Sequence, residues 1–131
     1  MDLWSSKPTF QPPSRLKVAC INDGKVNEVS TYSIERHCTT NGIDVAIISE
    51  GTTTQHLNGR SFGSFIWLGA TARPKREGAD GTGESGRAYG GVSFLCKQSM
   101  QPKLILCLVE EGFSTSAIRL ASGVIIIGVY L

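Results

Sequence analysis

The sequence predicts an α/β protein with mixed sheets, and two observations support that prediction. Residues 43–48 are apolar except for Asp44, most are β-branched, and the run is followed by Glu50 and Gly51. Such a run is typical of a strand buried on both faces within a parallel sheet. After Gly51, five strand-like segments alternate with turn-like stretches, which indicates hairpins and an antiparallel or mixed region.

The composition suits one globular domain. The chain has 131 residues, 40% of them hydrophobic, and a net charge of +2, which neither requires nor excludes nucleic acid as a partner. No apolar N-terminal signal is present, and the longest apolar run, residues 124–131, is too short to span a bilayer as a helix. We therefore expect no membrane partner.

The four cysteines are widely spaced and form no C-x-x-C pair, so neither a zinc knuckle nor a redox motif is predicted. Cys20, Cys96 and Cys107 lie in apolar runs, which predicts small buried core residues. Cysteines used in this way indicate a reducing compartment.

The first half of the chain predicts a β-α-β unit. Residues 1–15 are rich in proline and polar residues and predict an extended lead-in. Residues 16–21 predict a strand that ends in the turn Asn22-Asp23-Gly24. Asn27 is a candidate cap for a helix that runs to about Thr40, with Asn41-Gly42 as its stop, although several serines and threonines disfavour a helix.

This unit predicts a polar site at one edge of a sheet. A β-α-β crossover leaves its two strands parallel, so Asn22 or Asp23 would lie beside Glu50 at the carboxyl ends of neighbouring strands. An amide and a carboxylate in that position suit an oxygen-preferring cation such as magnesium. The alternative is that Glu50 is only the first solvated residue of a loop.

The second half predicts strands throughout. Residues 114–120 alternate polar and apolar, as a half-exposed strand does, and residues 124–130 are apolar throughout, which predicts a central strand. The predicted strands are Ser64–Ala70, Gly91–Cys96, Lys103–Val109, Ser114–Leu120 and Val124–Tyr130.

Residues 71–89 form a charged, glycine-rich stretch that matches two phosphate-binding motifs poorly. Residues 81–86 fit G-x-G-x-x-G but lack a preceding strand and a following helix, and Glu84 stands where a P-loop needs lysine. A surface loop is the simpler interpretation, although Arg73, Lys75, Arg76 and Arg87 are candidates for phosphate contacts. Neither His37 nor His56 has a nucleophile at a recognisable spacing.

Four segments, taken in order, resemble the endonuclease/exonuclease/phosphatase superfamily, and residues 43–50 are most similar to the endonuclease domains of non-LTR retrotransposons. Residues 16–22 resemble its opening strand, and residues 43–50 (Ile-Asp-Val-Ala-Ile-Ile-Ser-Glu) its strand with the metal-binding glutamate. Residues 89–95 (Tyr-Gly-Gly-Val-Ser-Phe-Leu) and 118–131 resemble two later strand regions of the family.

The resemblance implies a four-layer α/β sandwich that hydrolyses phosphodiesters with Mg²⁺ or Mn²⁺. It implies that Glu50 binds the metal with Asn22 beside it, that Asn22 orients the scissile phosphate, and that Tyr130 lies near that phosphate. It further implies DNA as the partner, a reverse transcriptase fused downstream, and an intracellular, nuclear location.

The chain also departs from the family pattern. Ile21 replaces a frequent tryptophan, and the loop after Asn22 is offset, so that Gly24 falls at a position that is often acidic or polar and Asp23 is a candidate substitute. Residues 16–131 contain no counterpart of the family's Asp-x-Asn segment and late Asp-His pair, so they resemble the N-terminal part of such a domain, C-terminally truncated. We therefore expect a weakly held metal and no activity from this fragment alone. The alternatives are a phosphatase or RNA nuclease of the same superfamily, or a non-catalytic remnant or binding module.

Overall fold

The structure, a computed structural model, describes residues 15–22, 27–49, 57–69, 91–110 and 112–131. These residues form a mixed α/β fold with one α-helix and two sheets, which confirms the predicted class. The elements are β1 Val18–Asn22, α1 Glu28–Asn41, β2 Val45–Ser49, β3 Ser61–Phe62, β4 Phe65–Gly69, β5 Ser93–Lys97, a 3₁₀ turn Gln98–Met100, β6 Lys103–Glu110, β7 Phe113–Arg119 and β8 Ile125–Tyr130. The short strand β3 and the 3₁₀ turn were not predicted.

The predicted β-α-β unit is confirmed. The first sheet has the order β1-β2-β5-β4-β3, and β1 pairs parallel to β2 in a register from Val18 opposite Val45 to Asn22 opposite Ser49. The other three pairings of this sheet, β2 with β5, β5 with β4 and β4 with β3, are antiparallel. The sheet is therefore mixed, as expected.

The helix α1 is stabilised more by the hydrogen bonds at its two ends than by the helix propensity of its residues. The Asn27 side chain accepts a hydrogen bond from the Ser30 amide (2.9 Å), and the Ser30 hydroxyl accepts one from the Asn27 amide (2.8 Å). At the other end Gly42 adopts a left-handed conformation (φ 65°) and ends the helix. These caps offset the low helix propensity of its serines and threonines.

One face of α1 packs on the first sheet. Ile34 and Cys38 of the helix join a core with residues from β2, β3, β4 and β5, in which Phe62 and Phe65 are fully buried. Ala19 and Ile21 of β1 pack against this same core. The helix-facing side of the first sheet is therefore its main apolar layer.

The second sheet packs on the opposite side of the first. Val45, Phe94 and Cys96 from the first sheet share a core with Ile118 and Leu120, and Leu104 and Ile126 pack against it. Two hydrogen bonds join the layers: the Ser116 hydroxyl donates to the Val92 carbonyl (2.7 Å), and the Ala121 amide donates to the Met100 carbonyl (3.0 Å). The layers are thus helix, sheet and sheet.

The prediction that residues 124–130 form a central strand is wrong. The second sheet has the order β6-β7-β8, so β7 is central and β8 lies at the edge. The inward side of β8 packs on the first sheet, but Ile125, Ile127 and Val129 are 52%, 61% and 56% exposed on the other side. An apolar run does not distinguish a strand covered on both faces from one whose outer face is apolar and exposed.

The cysteine prediction is correct for one of its three residues. Cys96 is buried, as is Cys38, which was not predicted to be, whereas Cys20 and Cys107 are exposed. Cys20 lies on an edge strand and Cys107 on the edge strand β6, and strand edges leave side chains open even inside apolar sequence. Burial raises the pKa of both buried thiols, for Cys96 to about 12, so both stay protonated at neutral pH.

Several predicted features lie outside the described residues: the lead-in up to residue 14, residues 71–89 with their motif and their four cations, and His56. His37 is exposed on α1. Within the part of the chain that the structure describes, no helix has the length and apolarity needed to cross a membrane.

Candidate active site

The carboxyl ends of β1 and β2 form the edge at which the sequence predicts a site. Asn22 is the last residue of β1 and lies directly opposite Ser49, the last residue of β2. Glu50 and Asp23 each follow one of these two residues, and both lie outside the described residues. The structure therefore places Asn22 and Ser49, the residues that precede Asp23 and Glu50, side by side on strands about 4.8 Å apart.

Asn22 and Ser49 belong to the side of the sheet that faces the second sheet. Strand residues alternate between faces, and Ala19 and Ile21 pack on the helix side, so Asn22 falls on the other side. Ile47 packs in the core between the sheets, and Ser49, two residues later, shares its face. Asn22 is exposed and Ser49 is partly buried, which leaves the Asn22 amide open to solvent.

Tyr130 lies at the same end of the molecule. The Ser116–Val92 hydrogen bond ties the first half of β7 to the start of β5, next to the end of β2, and the Ala121–Met100 bond ties the chain beyond β7 to the opposite end. β8 runs antiparallel to β7, with Tyr130 opposite Ser114, so β8 ends where β7 begins. The carboxyl ends of β1, β2 and β8 thus point the same way.

The close approach of β8 to β2 depends on Gly128. A Cβ at this position would collide with the Val92 Cγ1 atom and lie 3.0 Å from Ile47 Cγ2. Tyr130 is two residues further on, so it shares the inward face with Gly128. Tyr130 therefore lies on the same inner side of the sandwich as Asn22 and Ser49.

A set of buried hydroxyl groups at this end was not found by sequence reasoning. Ser114 and Ser116 are 1% and 0% exposed between the two sheets, and Ser114 lies opposite Tyr130, whereas Ser93 is 5% exposed on the helix side of the first sheet, the face of Leu95. The alternation in residues 114–120 predicts a half-exposed strand, but Ser114 and Ser116 share the inward face with Ile118, and Ala117 lies on the other face. Serine is small enough to fit between closely packed layers. The two-residue alternation of the strand, which puts Ser114 and Ser116 on the same face as Ile118, is the sequence signal that could have indicated these buried hydroxyl groups.

One ion pair of the described residues lies near this end. In the first turn of α1, Glu28 accepts a salt bridge from Arg60 at 2.9 Å, and the Arg60 guanidinium lies over the Phe62 ring, 5.6 Å from its centroid. Neither buried thiol faces this end, because Cys96 pairs with Val45 at the start of β2. In the described ranges no three histidine, cysteine or acidic residues come together as a metal cluster.

A surface depression of about 450 Å³ lies at the opposite end of the sheet, near the start of β1 and the end of α1. Its polar groups already bond to one another: the Lys17 ammonium donates to the Asn41 carbonyl (2.6 Å), and the Lys17 amide donates to Asp44 (2.8 Å). Asp44 also forms a salt bridge with Lys97 (3.1 Å). This depression is therefore separate from the edge that carries Asn22.

Comparison of the chain with models of protein families, with curated proteins and with solved structures gave no match.

Proposed function

We propose that this chain is part of a magnesium-dependent phosphodiesterase domain, a DNA endonuclease of the retrotransposon type within the endonuclease/exonuclease/phosphatase superfamily. The single observation that supports this most is the common direction of three strand ends. Asn22 ends β1, Ser49 ends β2 directly before Glu50 in the sequence, and Tyr130 ends β8, and these three strand ends lie at one end of the sandwich. These are the three residues to which the resemblance gives catalytic roles.

The order of the layers also supports the proposal. A four-layer α/β sandwich has two sheets face to face with helices outside, and the described residues supply three such layers in that order. We propose the four-layer sandwich as the fold of the whole domain.

The proposed chemistry assigns one role to each residue. The Glu50 carboxylate binds Mg²⁺ or Mn²⁺, and the exposed amide of Asn22, which lies opposite Ser49, orients the phosphate. The metal, when bound, neutralises the charge that develops on the phosphate as water attacks in line. The Tyr130 hydroxyl is a hydrogen-bond donor for a phosphate oxygen.

One step of the proposed hydrolysis has no residue assigned to it by the resemblance in this sequence. Hydrolysis of this kind needs a base that activates water, and the only histidines are His37 and His56. His37 is exposed on α1, where Asn41 lies 3.2 Å from its ring, and so it does not serve that edge. We therefore expect this chain to bind the metal weakly and not to cleave DNA.

Metal binding is the direct test. Water-proton relaxation in a Mn²⁺ titration should show one weak site in the unchanged chain, and Glu50→Ala should abolish it. Glu35→Ala, which removes a carboxylate from the middle of α1, is the matched control and should bind as before. Equal binding by the Glu50→Ala variant would refute the assignment of the metal site.

Activity assays then separate the candidate functions. Supercoiled plasmid, single-stranded RNA and an inositol phosphate, each with and without Mg²⁺, distinguish a DNA nuclease from an RNA nuclease and a phosphatase. Plasmid nicking by the 131-residue chain that depends on Glu50 would contradict the expected inactivity. Absence of any Mn²⁺ site would favour a non-catalytic remnant or binding module.

A further inference from the structure

The outward face of the second sheet is apolar and exposed. On β7 the fully buried Ile118 faces inward, so Ala117 and Thr115, which lie on the other face of the strand, point outward. A bulge between Leu104 and Leu106 shifts the register of β6, so that Leu106 and Leu108 pair with Ala117 and Thr115 and share their outward face. We call this surface the outer face. Its large apolar members, all between 37% and 61% exposed, are Leu106, Leu108, Phe113, Ile125, Ile127 and Val129.

The outer face spans all three strands, and large side chains from the two edge strands cover the central strand β7. Ala117 lies between Leu106 and Ile127 across the three strands, yet it is only 4% exposed, so its larger neighbours cover it. The six large side chains present on the order of 500 Å² of apolar surface, which is at the upper end for a monomer. Two such faces together would bury about 1,000 Å², the lower limit of a specific interface.

The two ends of the outer face carry opposite charges. Lys103 and Arg119 lie opposite each other at one end, and Glu110 lies opposite Phe113 at the other. The seven steps along β6 from Lys103 to Glu110 span about 24 Å. The face is therefore a nonpolar surface with a basic end and an acidic end.

We propose that two copies of the chain associate through their outer faces, sheet on sheet, with β6 of one copy antiparallel to β6 of the other. A two-fold axis across the strands places Lys103 of each copy over Glu110 of the other, and the row of Leu106 over the row of Leu108. The alternative two-fold arrangement, with strands parallel, would bring like charges together at both ends. Charge complementarity thus selects the antiparallel dimer, and a broad surface without a deep groove suits a second sheet.

This inference does not depend on the proposed enzymatic activity, and it concerns the 131-residue chain alone, because the fourth layer of the proposed sandwich would cover the outer face. Sedimentation velocity of the whole 131-residue chain, from 1 to 200 µM, should show a monomer–dimer equilibrium. Ile127→Glu should shift it to monomer, because the charge would be desolvated within the interface. The matched control is Val29→Glu, at a side chain 77% exposed on α1, which should leave the equilibrium unchanged. Circular dichroism of each variant confirms that the fold is retained.

A charge exchange tests the orientation independently of the apolar contacts. Lys103→Glu or Glu110→Lys alone should weaken the dimer about tenfold, since each places two like-charged pairs in the symmetric interface. The double variant should return to within about threefold of the unchanged chain. A monomer throughout the concentration range would overturn the proposal and indicate that residues outside the described ranges cover the face. A dimer dissociation constant unchanged by Ile127→Glu would overturn the proposal as well. So would a double variant that dimerises no more tightly than either single variant.

Discussion

Replacement of Gly128 by alanine is expected to separate the two sheets at the end that carries Asn22. The added Cβ would overlap with Val92 Cγ1 and press on Ile47 Cγ2 at 3.0 Å. Val92 is fully buried, and its β-branched side chain has little freedom to rotate away. Overpacking of this kind costs about 1–3 kcal/mol. Because Gly128 does not have a positive φ, the effect is steric and involves no backbone strain.

Urea unfolding followed by tryptophan fluorescence measures this cost, since Trp67 is 2% exposed in the core. For a two-state domain of this size, each 1 kcal/mol lost from the free energy of unfolding lowers the melting temperature by about 3–5 °C. Val92→Ala alone should also destabilise, by about 2 kcal/mol, because it opens a cavity. In the double variant the new methyl group occupies that cavity.

The double-mutant cycle gives the decisive number. We expect Gly128→Ala with Val92→Ala to cost at least 1 kcal/mol less than the sum of the two single changes. Strict additivity, or a Gly128→Ala variant as stable as the unchanged chain, would refute the close approach of β8 to β5. The position of Tyr130 beside the ends of β1 and β2 would then have no support.

Two further predictions concern the helix cap and a buried thiol. Asn27→Ala removes the acceptor for the Ser30 amide (2.9 Å) and should lower the free energy of unfolding by about 1 kcal/mol in urea, whereas Asn27→Asp should restore most of it; no loss on Asn27→Ala would contradict the cap. Burial, and then the Asp44 carboxylate, raises the Cys96 pKa from its ordinary value near 9 to about 12. The folded state therefore keeps the thiol proton where the unfolded state loses it, so stability is full below pH 9 and falls between pH 9 and 12. Cys96→Ala should flatten that decline, and an unchanged slope would contradict it.

The β-α-β unit could be predicted because its signals are local. The cap at Asn27, the stop at Gly42 and the apolar run before Ser49 each act within a few residues, and together they fix the direction of two strands. The candidate edge with Asn22 follows from that direction alone.

The arrangement of the second sheet could not be predicted because it depends on distant partners. The sequence of β8 is apolar on both faces, and nothing within it states that β7 and not β8 is central. The inward direction of Ser114 and Ser116 likewise depends on the approach of Val92 from another sheet. The position of the Glu50 side chain, the residue most important to the proposed function, lies outside the described residues.

The pairing of the strands also bears on the order of folding. β6, β7 and β8 are joined by short connections and pair only with their neighbours along the chain, so their loop-closure entropy is small. β2, in contrast, pairs with β5 from Val45 to Cys96, about fifty residues apart, and this contact closes late. The three-stranded meander is thus expected to form before the first sheet can cover its inner side. During that interval both of its faces are apolar and open, and a newly synthesised chain is most exposed to aggregation then.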